Sequence, residues 1–278
     1  MMRIRVYQDA EALARTLASA VARALASRPD IILGLPTGRT PIPLYRELVR
    51  LHQAGRADFR RATMFNLDEF LGLDARDPRS YRAFMQRHLF DHVNVAPRRI
   101  QFLNGASRDV SRECERYERA IRHAGGIDLQ ILGLGMNGHI GFNEPARALV
   151  ARTHCTRLTP ATRRANAALF GGRIRAVPHE ALSMGMATIL QAERIVLVAT
   201  GATKARCVER MINGPVTPRL PASFLQLHRN VEVWVDRAAA ANVRHPTFSS
   251  AFNRASTSSP IASRTKSWAR RRRASDCG

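Results

Sequence analysis

Four residues of this chain are suited to moving protons: the adjacent carboxylates Asp68 and Glu69, and His139 with Glu144 five positions after it. Paired carboxyls can take up and return a proton when their surroundings hold their pKa values apart. A carboxylate within reach of an imidazole fixes its tautomer and strengthens it as a base. Plainer explanations exist for both pairs, since Asp-Glu also makes a solvated turn and a single His after a strand usually plays a structural part. The setting of His139 favours chemistry. In residues 127–145, IDLQILGLGMNGHIGFNEP, an apolar run with Leu129, Ile131, Leu132 and Leu134 ends in Gly133, Gly135, Gly138 and Gly141, threaded with Asn137, His139, Asn143 and Glu144. Such a run reads as a strand buried on both faces of a parallel sheet, and ligands of open α/β sheets sit just beyond strand ends of this kind.

Two further stretches are suited to holding an anion. Thr37-Gly38-Arg39-Thr40 follows the apolar run at 31–35 and precedes a helical pattern, which would set hydroxyls and free backbone N–H groups at a helix N-terminus. An ordinary turn capped by Thr40 fits the same residues. Lys204, in Gly201-Ala202-Thr203-Lys204, stands at another helix start after the run ERIVLVAT. It is one of only two lysines among 44 basic residues, the other being Lys266. A lysine retained beside a glycine turn in so arginine-rich a chain reads as a compact charge for phosphate, against the alternative of a solvated surface residue.

The elements that must position these groups alternate between strand and helix. Period-2 or continuous apolar runs mark strands at 3–7, 31–35, 62–67, 99–103, 127–134, 193–200 and 231–236. Helical stripes mark 10–25, 42–52, 80–92 and 111–123, with Asp9 a candidate N-cap. This alternation predicts an α/β fold, an open, mostly parallel sheet with helices on both faces, Rossmann-like in its layering. Asp68 and Glu69 then fall at the end of the strand at 62–67.

The formal charge of +22 would ordinarily raise nucleic acid as a partner. The arginines are scattered through every predicted helix instead of gathered on one face, so nucleic-acid binding is not expected. Cys114, Cys155, Cys207 and Cys277 show no CxxC spacing, which suggests neither a zinc site nor a disulfide framework. No run of about eighteen apolar residues would span a membrane, and residues 1–13 lack the apolar core of a secretory signal, so a cytoplasmic setting is expected. Residues 243–278 are rich in Ser, Ala and Arg and lack apolar periodicity, so they are expected to form a disordered basic tail after a domain at 1–242.

LPTGRTP at 35–41, FNLDEFLGL at 65–73 and GLGMNGHIGFNEP at 133–145 together resemble the glucosamine-6-phosphate deaminase (glucosamine-6-phosphate isomerase) family, over residues 3–236. The chain is similar, more distantly, to 6-phosphogluconolactonase, which shares the fold but not the NGHIGFNEP wording. The resemblance implies conversion of D-glucosamine 6-phosphate and water to D-fructose 6-phosphate and ammonium, in N-acetylglucosamine catabolism, with no metal or redox cofactor. It marks Asp68 as the proton carrier of the enolisation, supported by Glu69. His139 would act in ring opening, tuned by Glu144. Asn137 stands where many members have Asp and is expected to hydrogen-bond His139 without carrying charge. Thr37, Gly38, Arg39, Thr40 and Lys204 would hold the sugar phosphate. A lid is expected at 157–181, hinged at Gly171-Gly172; the family's lid usually carries an arginine where this chain has Ala168. His154 and Thr156 replace the Arg and Lys through which some members bind an acetylated sugar phosphate, so no such activation is expected. Members tend to form multimers, which makes a homo-oligomer possible. A lactonase would leave Asp68-Glu69 and FNEP unexplained. A non-catalytic sugar-phosphate-binding module is disfavoured by the intact trio Asp68, His139 and Glu144.

Overall fold

The computed structural model describes residues 2–243. Its elements run β1 (Arg3–Tyr7), α1 (Ala10–Ser27), β2 (Ile32–Leu35), α2 (Ile42–Gln53), β3 (Thr63–Asn66), β4 (Asp68–Phe70), α3 (Tyr81–His88), β5 (Ile100–Gln101), α4 (Val110–Ala124), β6 (Leu129–Gly133), β7 (His154–Arg157), α5 (Pro160–Asn166), β8 (Glu180–Ser183), α6 (Met186–Leu190), β9 (Arg194–Ala199), α7 (Ala205–Asn213) and β10 (Val231–Asp236). Asp9 caps α1 as its position suggests, its carboxylate accepting the Ala12 N–H at 2.7 Å. The stripe Leu13, Ala14, Leu17, Ala18, Val21 and Leu25 is the buried face of that helix.

Seven strands form one sheet in the order β1-β10-β9-β6-β2-β3-β5, and every neighbouring pair is parallel. Because strand side chains alternate between faces, each central strand feeds two cores. Leu129 and Ile131 of β6, Val196 and Val198 of β9 and Trp234 of β10 pack on the side of α1 and α2. Leu132, Leu197 and Val233 pack on the side of α4 and α7. The expected helix-covered sheet is therefore present.

β2 and β6 lie side by side at the centre. The chain leaving β2 returns to the sheet at β3 on one flank, and the chain leaving β6 returns at β9 on the other. Connections that diverge in this way open a crevice above the two strands, where ligands of doubly wound sheets bind. The loops carrying Thr37–Thr40 and Gly135–Glu144 both start there.

The structure departs from the sequence reading in two places. Asp68 and Glu69 do not trail the end of β3. They begin β4, which leaves the main sheet and pairs antiparallel with β8, Asp68 opposite Ser183; β8 in turn pairs with β7. The expected strand at 99–103 shrinks to Ile100–Gln101 at the sheet edge. The segment 157–181 is bracketed by two strands of the small sheet and holds α5, the turns Ala167–Phe170 and Ile174–Ala176, and Gly171 and Gly172 at φ 63° and 77°. The expected tail lies, from residue 244 onward, outside the described residues.

One close approach ties the two central strands. Gly34 of β2 stands in register with Gln130 of β6, whose side chain is fully buried, and a Cβ at position 34 would come within 2.1 Å of the Gln130 amide oxygen. Gly34→Ala should destabilise the protein by about 1–3 kcal/mol, the usual range for overpacking a filled core. A urea titration checks this: a shifted midpoint at unchanged slope is the expected outcome.

Candidate active site

Asp68 is placed by a corner in the chain. Asn66, the last residue of β3, donates its side-chain amide to the Asp68 carbonyl at 2.7 Å, and the buried Tyr117 hydroxyl donates to the Asn66 carbonyl at 2.5 Å. Asp68, thus held, is 6 % exposed, and among the described residues the one side-chain partner of its carboxyl is the Thr37 hydroxyl at 3.4 Å. Burial, and then the neighbouring Glu69 charge, push Asp68 up to about 8 while Thr37 opposes them. Glu69 points the other way, as the next residue of a strand must. Its two oxygens accept the N–H groups of Phe70, Tyr81 and Arg82 at 2.8 to 2.9 Å, tying β4 to the start of α3. Burial pushes Glu69 up to about 7 against these three donors. The adjacent carboxyls therefore divide, one facing the crevice and one anchoring a helix.

His139 and Glu144 meet because residues 139–144 fold back in a tight turn closed by the Asn143 N–H on the Ile140 carbonyl at 3.2 Å. The imidazole Nδ1 lies 3.6 Å from Glu144 Oε2, an ion-pair separation longer than a hydrogen bond. Gly135 makes this possible, since a Cβ there would come within 2.5 Å of three ring carbons of His139. Asn137 does not bond the imidazole. Its side-chain oxygen accepts the His139 backbone N–H at 3.2 Å and its amide donates to Glu144 Oε2 at 2.8 Å. Burial by itself would raise Glu144, but His139, then Thr162 and Asn137, hold it below the usual carboxylate value.

The two halves are joined through Ser183, opposite Asp68 in the small sheet. Its hydroxyl accepts the Phe142 N–H at 3.1 Å and donates to the Met184 carbonyl at 3.1 Å. Neither Ser183, Thr162 nor Tyr81 stands out in the sequence as part of a site. Burial, then the Asp68 charge, raises the Tyr81 phenol well above its ordinary value, and Thr37 opposes the rise. Tyr81 therefore belongs to the surroundings of Asp68 as well as to the core of α3.

A cationic corner lies on the same crevice. α2 has Pro41 at its N-cap and no side-chain cap, so Thr40 does not close its N-terminus, and among the described residues the N–H groups of Gly38, Arg39 and Thr40 make no backbone hydrogen bond. Burial lowers the Lys204 ammonium, the Cys207 thiol offsets part of that, and Arg39 adds to it. Neither Arg39 nor Lys204 has a carboxylate within ion-pair distance among the described residues. Asp236, at the end of β10, grips the loop before Lys204 by accepting the Gly201 N–H at 2.9 and 3.1 Å, another role with no sequence signal beyond its place at a strand end. Ala168 is exposed, and Arg163 is committed to the carbonyls of Val177 and Ile174 at 3.0 to 3.2 Å. Two cations beside N–H groups at a helix N-terminus have the chemistry to hold an anion.

Residues 7–234 match the model of a family described as glucosamine-6-phosphate isomerases/6-phosphogluconolactonase. A glucosamine-6-phosphate deaminase of Clostridium botulinum is 43 % identical over 242 residues, covering 87 % of this chain and 99 % of that protein. Glucosamine-6-phosphate deaminase 2 of Bacillus subtilis is 44 % identical, covering 89 % and 100 %. The solved structure of a monomeric glucosamine-6-phosphate deaminase superposes with a TM-score of 0.84 at 42 % identity, covering 87 % of this chain and all of that one. A 6-phosphogluconolactonase of Thermotoga maritima, at 19 % identity, a TM-score of 0.66 and coverage of 85 % and 99 %, shares the fold. With three motifs, the crevice geometry and near-complete coverage in agreement, the chain belongs to the glucosamine-6-phosphate isomerase/6-phosphogluconolactonase family, among its glucosamine-6-phosphate deaminases.

Proposed function

We propose that this protein is an enzyme that converts D-glucosamine 6-phosphate and water to D-fructose 6-phosphate and ammonium, a deaminating hydrolase of amino-sugar catabolism downstream of N-acetylglucosamine, working in the cytoplasm. The observation that carries this reading is the near-unpartnered, buried Asp68 carboxyl in the same crevice as the His139–Glu144 pair and the Arg39–Lys204 corner. Residues 1–242 form the catalytic domain and 157–181 its lid.

The phosphate sits among the free N–H groups at Gly38 to Thr40, Arg39 and Lys204, which orients the sugar towards β4 and the 133–145 loop. His139 passes a proton between the anomeric hydroxyl and the ring oxygen, opening the ring, while Glu144 holds the imidazole. Asp68 takes the proton from C2 and returns it to C1, turning the 2-amino aldose into a ketose imine. Water adds at C2 and the amine leaves as ammonium. A base with a pKa near the working pH combines availability with proton affinity, and each positioned proton transfer contributes about 10²–10⁴-fold.

Three outcomes test this. Purified protein should release ammonium and form fructose 6-phosphate in equal amounts, and Asp68→Asn should release neither; hydrolysis of 6-phosphogluconolactone without ammonium release would instead establish the lactonase reading. Lys204→Gln should raise KM for glucosamine 6-phosphate by roughly 10–100-fold, the loss of one charged phosphate contact, and leave turnover of unphosphorylated glucosamine unchanged. The third concerns stability. Asp68 is raised from 3.8 to about 8 in the folded protein, so its contribution to stability is fully present below pH 3.8 and is lost as the pH rises through about 8. Asp68→Asn, which cannot ionise, should therefore be more stable than the natural protein at pH 9, by roughly 2 kcal/mol or more, and the gap should close towards pH 4. Melting temperatures across that range check it.

A further inference from the structure

The first turn of α5 reaches into the proton-transfer machinery from a segment that the sequence presents only as a lid. Thr159 caps the helix, its hydroxyl accepting the Thr162 N–H at 3.2 Å, and lies 3.4 Å from Glu144 Oε1. The Thr162 hydroxyl donates directly to the same oxygen. Both ends of this bond are buried, Thr162 being 3 % and Glu144 8 % exposed. One turn later Asn166 donates to the Thr162 carbonyl at 2.9 Å and accepts the Tyr81 hydroxyl at 3.0 Å, on the Asp68 side of the crevice. Positions 162 and 166, four apart, share one face of the helix. That face therefore touches both halves of the candidate site.

The Glu144 carboxylate has two edges with separate duties. Oε2 faces His139 Nδ1 and accepts from Asn137, and Oε1 is held by the α5 hydroxyls. Among the described residues the one titratable group facing it is His139; the 133–145 loop adds the Asn137 amide, and α5 adds only hydroxyls. Without the Thr162 bond the carboxyl keeps the Asn137 amide at Oε2 and only the longer Thr159 contact at Oε1, so its last torsion, which is broad for Glu, is held less firmly with Oε2 towards the imidazole.

We propose that Thr162 is a positioning residue for the deaminase reaction: its hydroxyl fixes Glu144 so that Oε2 faces His139, which makes α5 a working part of the acid–base site and not only a cover. This rests on the proposed function for its kinetic consequence and on geometry alone for the state of Glu144.

The test uses Thr162→Val, which keeps the shape and removes the hydroxyl, with Thr162→Ser as the variant that restores it, each in the natural background and beside Glu144→Gln. Thr162→Val should lower kcat by about tenfold with KM little changed, Thr162→Ser should recover it, and Thr162→Val should cost nothing further once Glu144 is Gln. In protein labelled with ¹³C-glutamate, the Glu144 carboxyl should titrate about one pH unit higher in Thr162→Val, because a hydrogen bond to the ionised form is lost. Equal titration midpoints in the two proteins, or a loss in Thr162→Val that persists undiminished beside Glu144→Gln, would show a merely structural hydroxyl and overturn the proposal. The titration needs no turnover. A shifted midpoint in a protein that releases no ammonium would uphold the positioning role and reject the deaminase reading.

Discussion

A carboxyl buried with almost nothing to stabilise its charge is the constraint around which this structure is arranged. Three buried tyrosines lie within electrostatic reach of Asp68, whose charge adds to the burial that raises each phenol. None gives Asp68 its proton: Tyr45 donates to the Pro36 carbonyl, Tyr117 to the Asn66 carbonyl and Tyr81 to Asn166. Among the described residues Asp68 keeps only the Thr37 hydroxyl as a side-chain partner, at 3.4 Å, too little to offset the burial and then the Glu69 charge that push it up to about 8. A carboxylate starved of donors is a proton acceptor near neutral pH, and the fold sustains it because each surrounding hydroxyl is already committed elsewhere.

The parallel sheet supplies the rest by geometry. Divergent connections from β2 and β6 bring the anion corner and the His139 loop to one crevice. β4 then carries Asp68 out of the main sheet and into the small one, whose Ser183 bonds the Phe142 N–H of the His139 loop. Gly135 is the close-packing residue of that loop, because the imidazole occupies the space a side chain would need. The acid–base groups thus rest on strand ends and short turns, elements with little freedom to drift.

Much of this was legible in the sequence. The continuous apolar run at 195–198, and the run with Leu129, Ile131 and Leu132, read as strands covered on both faces, and they are. Lys204 stood out because an arginine-rich chain had kept a lysine there. What the sequence hid are contacts whose partners lie far apart along it. Thr162 meets Glu144 across 18 residues, Asp236 meets Gly201 across 35 and Asn166 meets Tyr81 across 85, and no periodicity records such pairs. The small sheet was hidden for another reason. β4 and β8 have three and four residues, too few to show a pattern, and their alternation merges with the strand and lid wording beside them. Asn137 meets the expected hydrogen bond with His139 at the backbone N–H and spends its amide on Glu144, a division that the resemblance does not specify.

On the proposed function the anion corner and α5 have separate tasks. Ala168 carries no charge, and Arg163, in the same segment, spends its guanidinium on backbone carbonyls, bracing the turn at Ile174 to Val177. Arg39 and Lys204 extend from the loops after β2 and β9, close enough for Arg39 to act on the Lys204 ammonium and, among the described residues, with no carboxylate in ion-pair distance of either. On the proposed function the phosphate is recognised by these strand-end loops. The contacts of α5 run instead to Glu144 and Tyr81. Phosphate recognition and alignment of the proton-transfer groups are then carried by different parts of the chain: the fixed loops set where the substrate sits, and the segment above it sets how Glu144 faces His139.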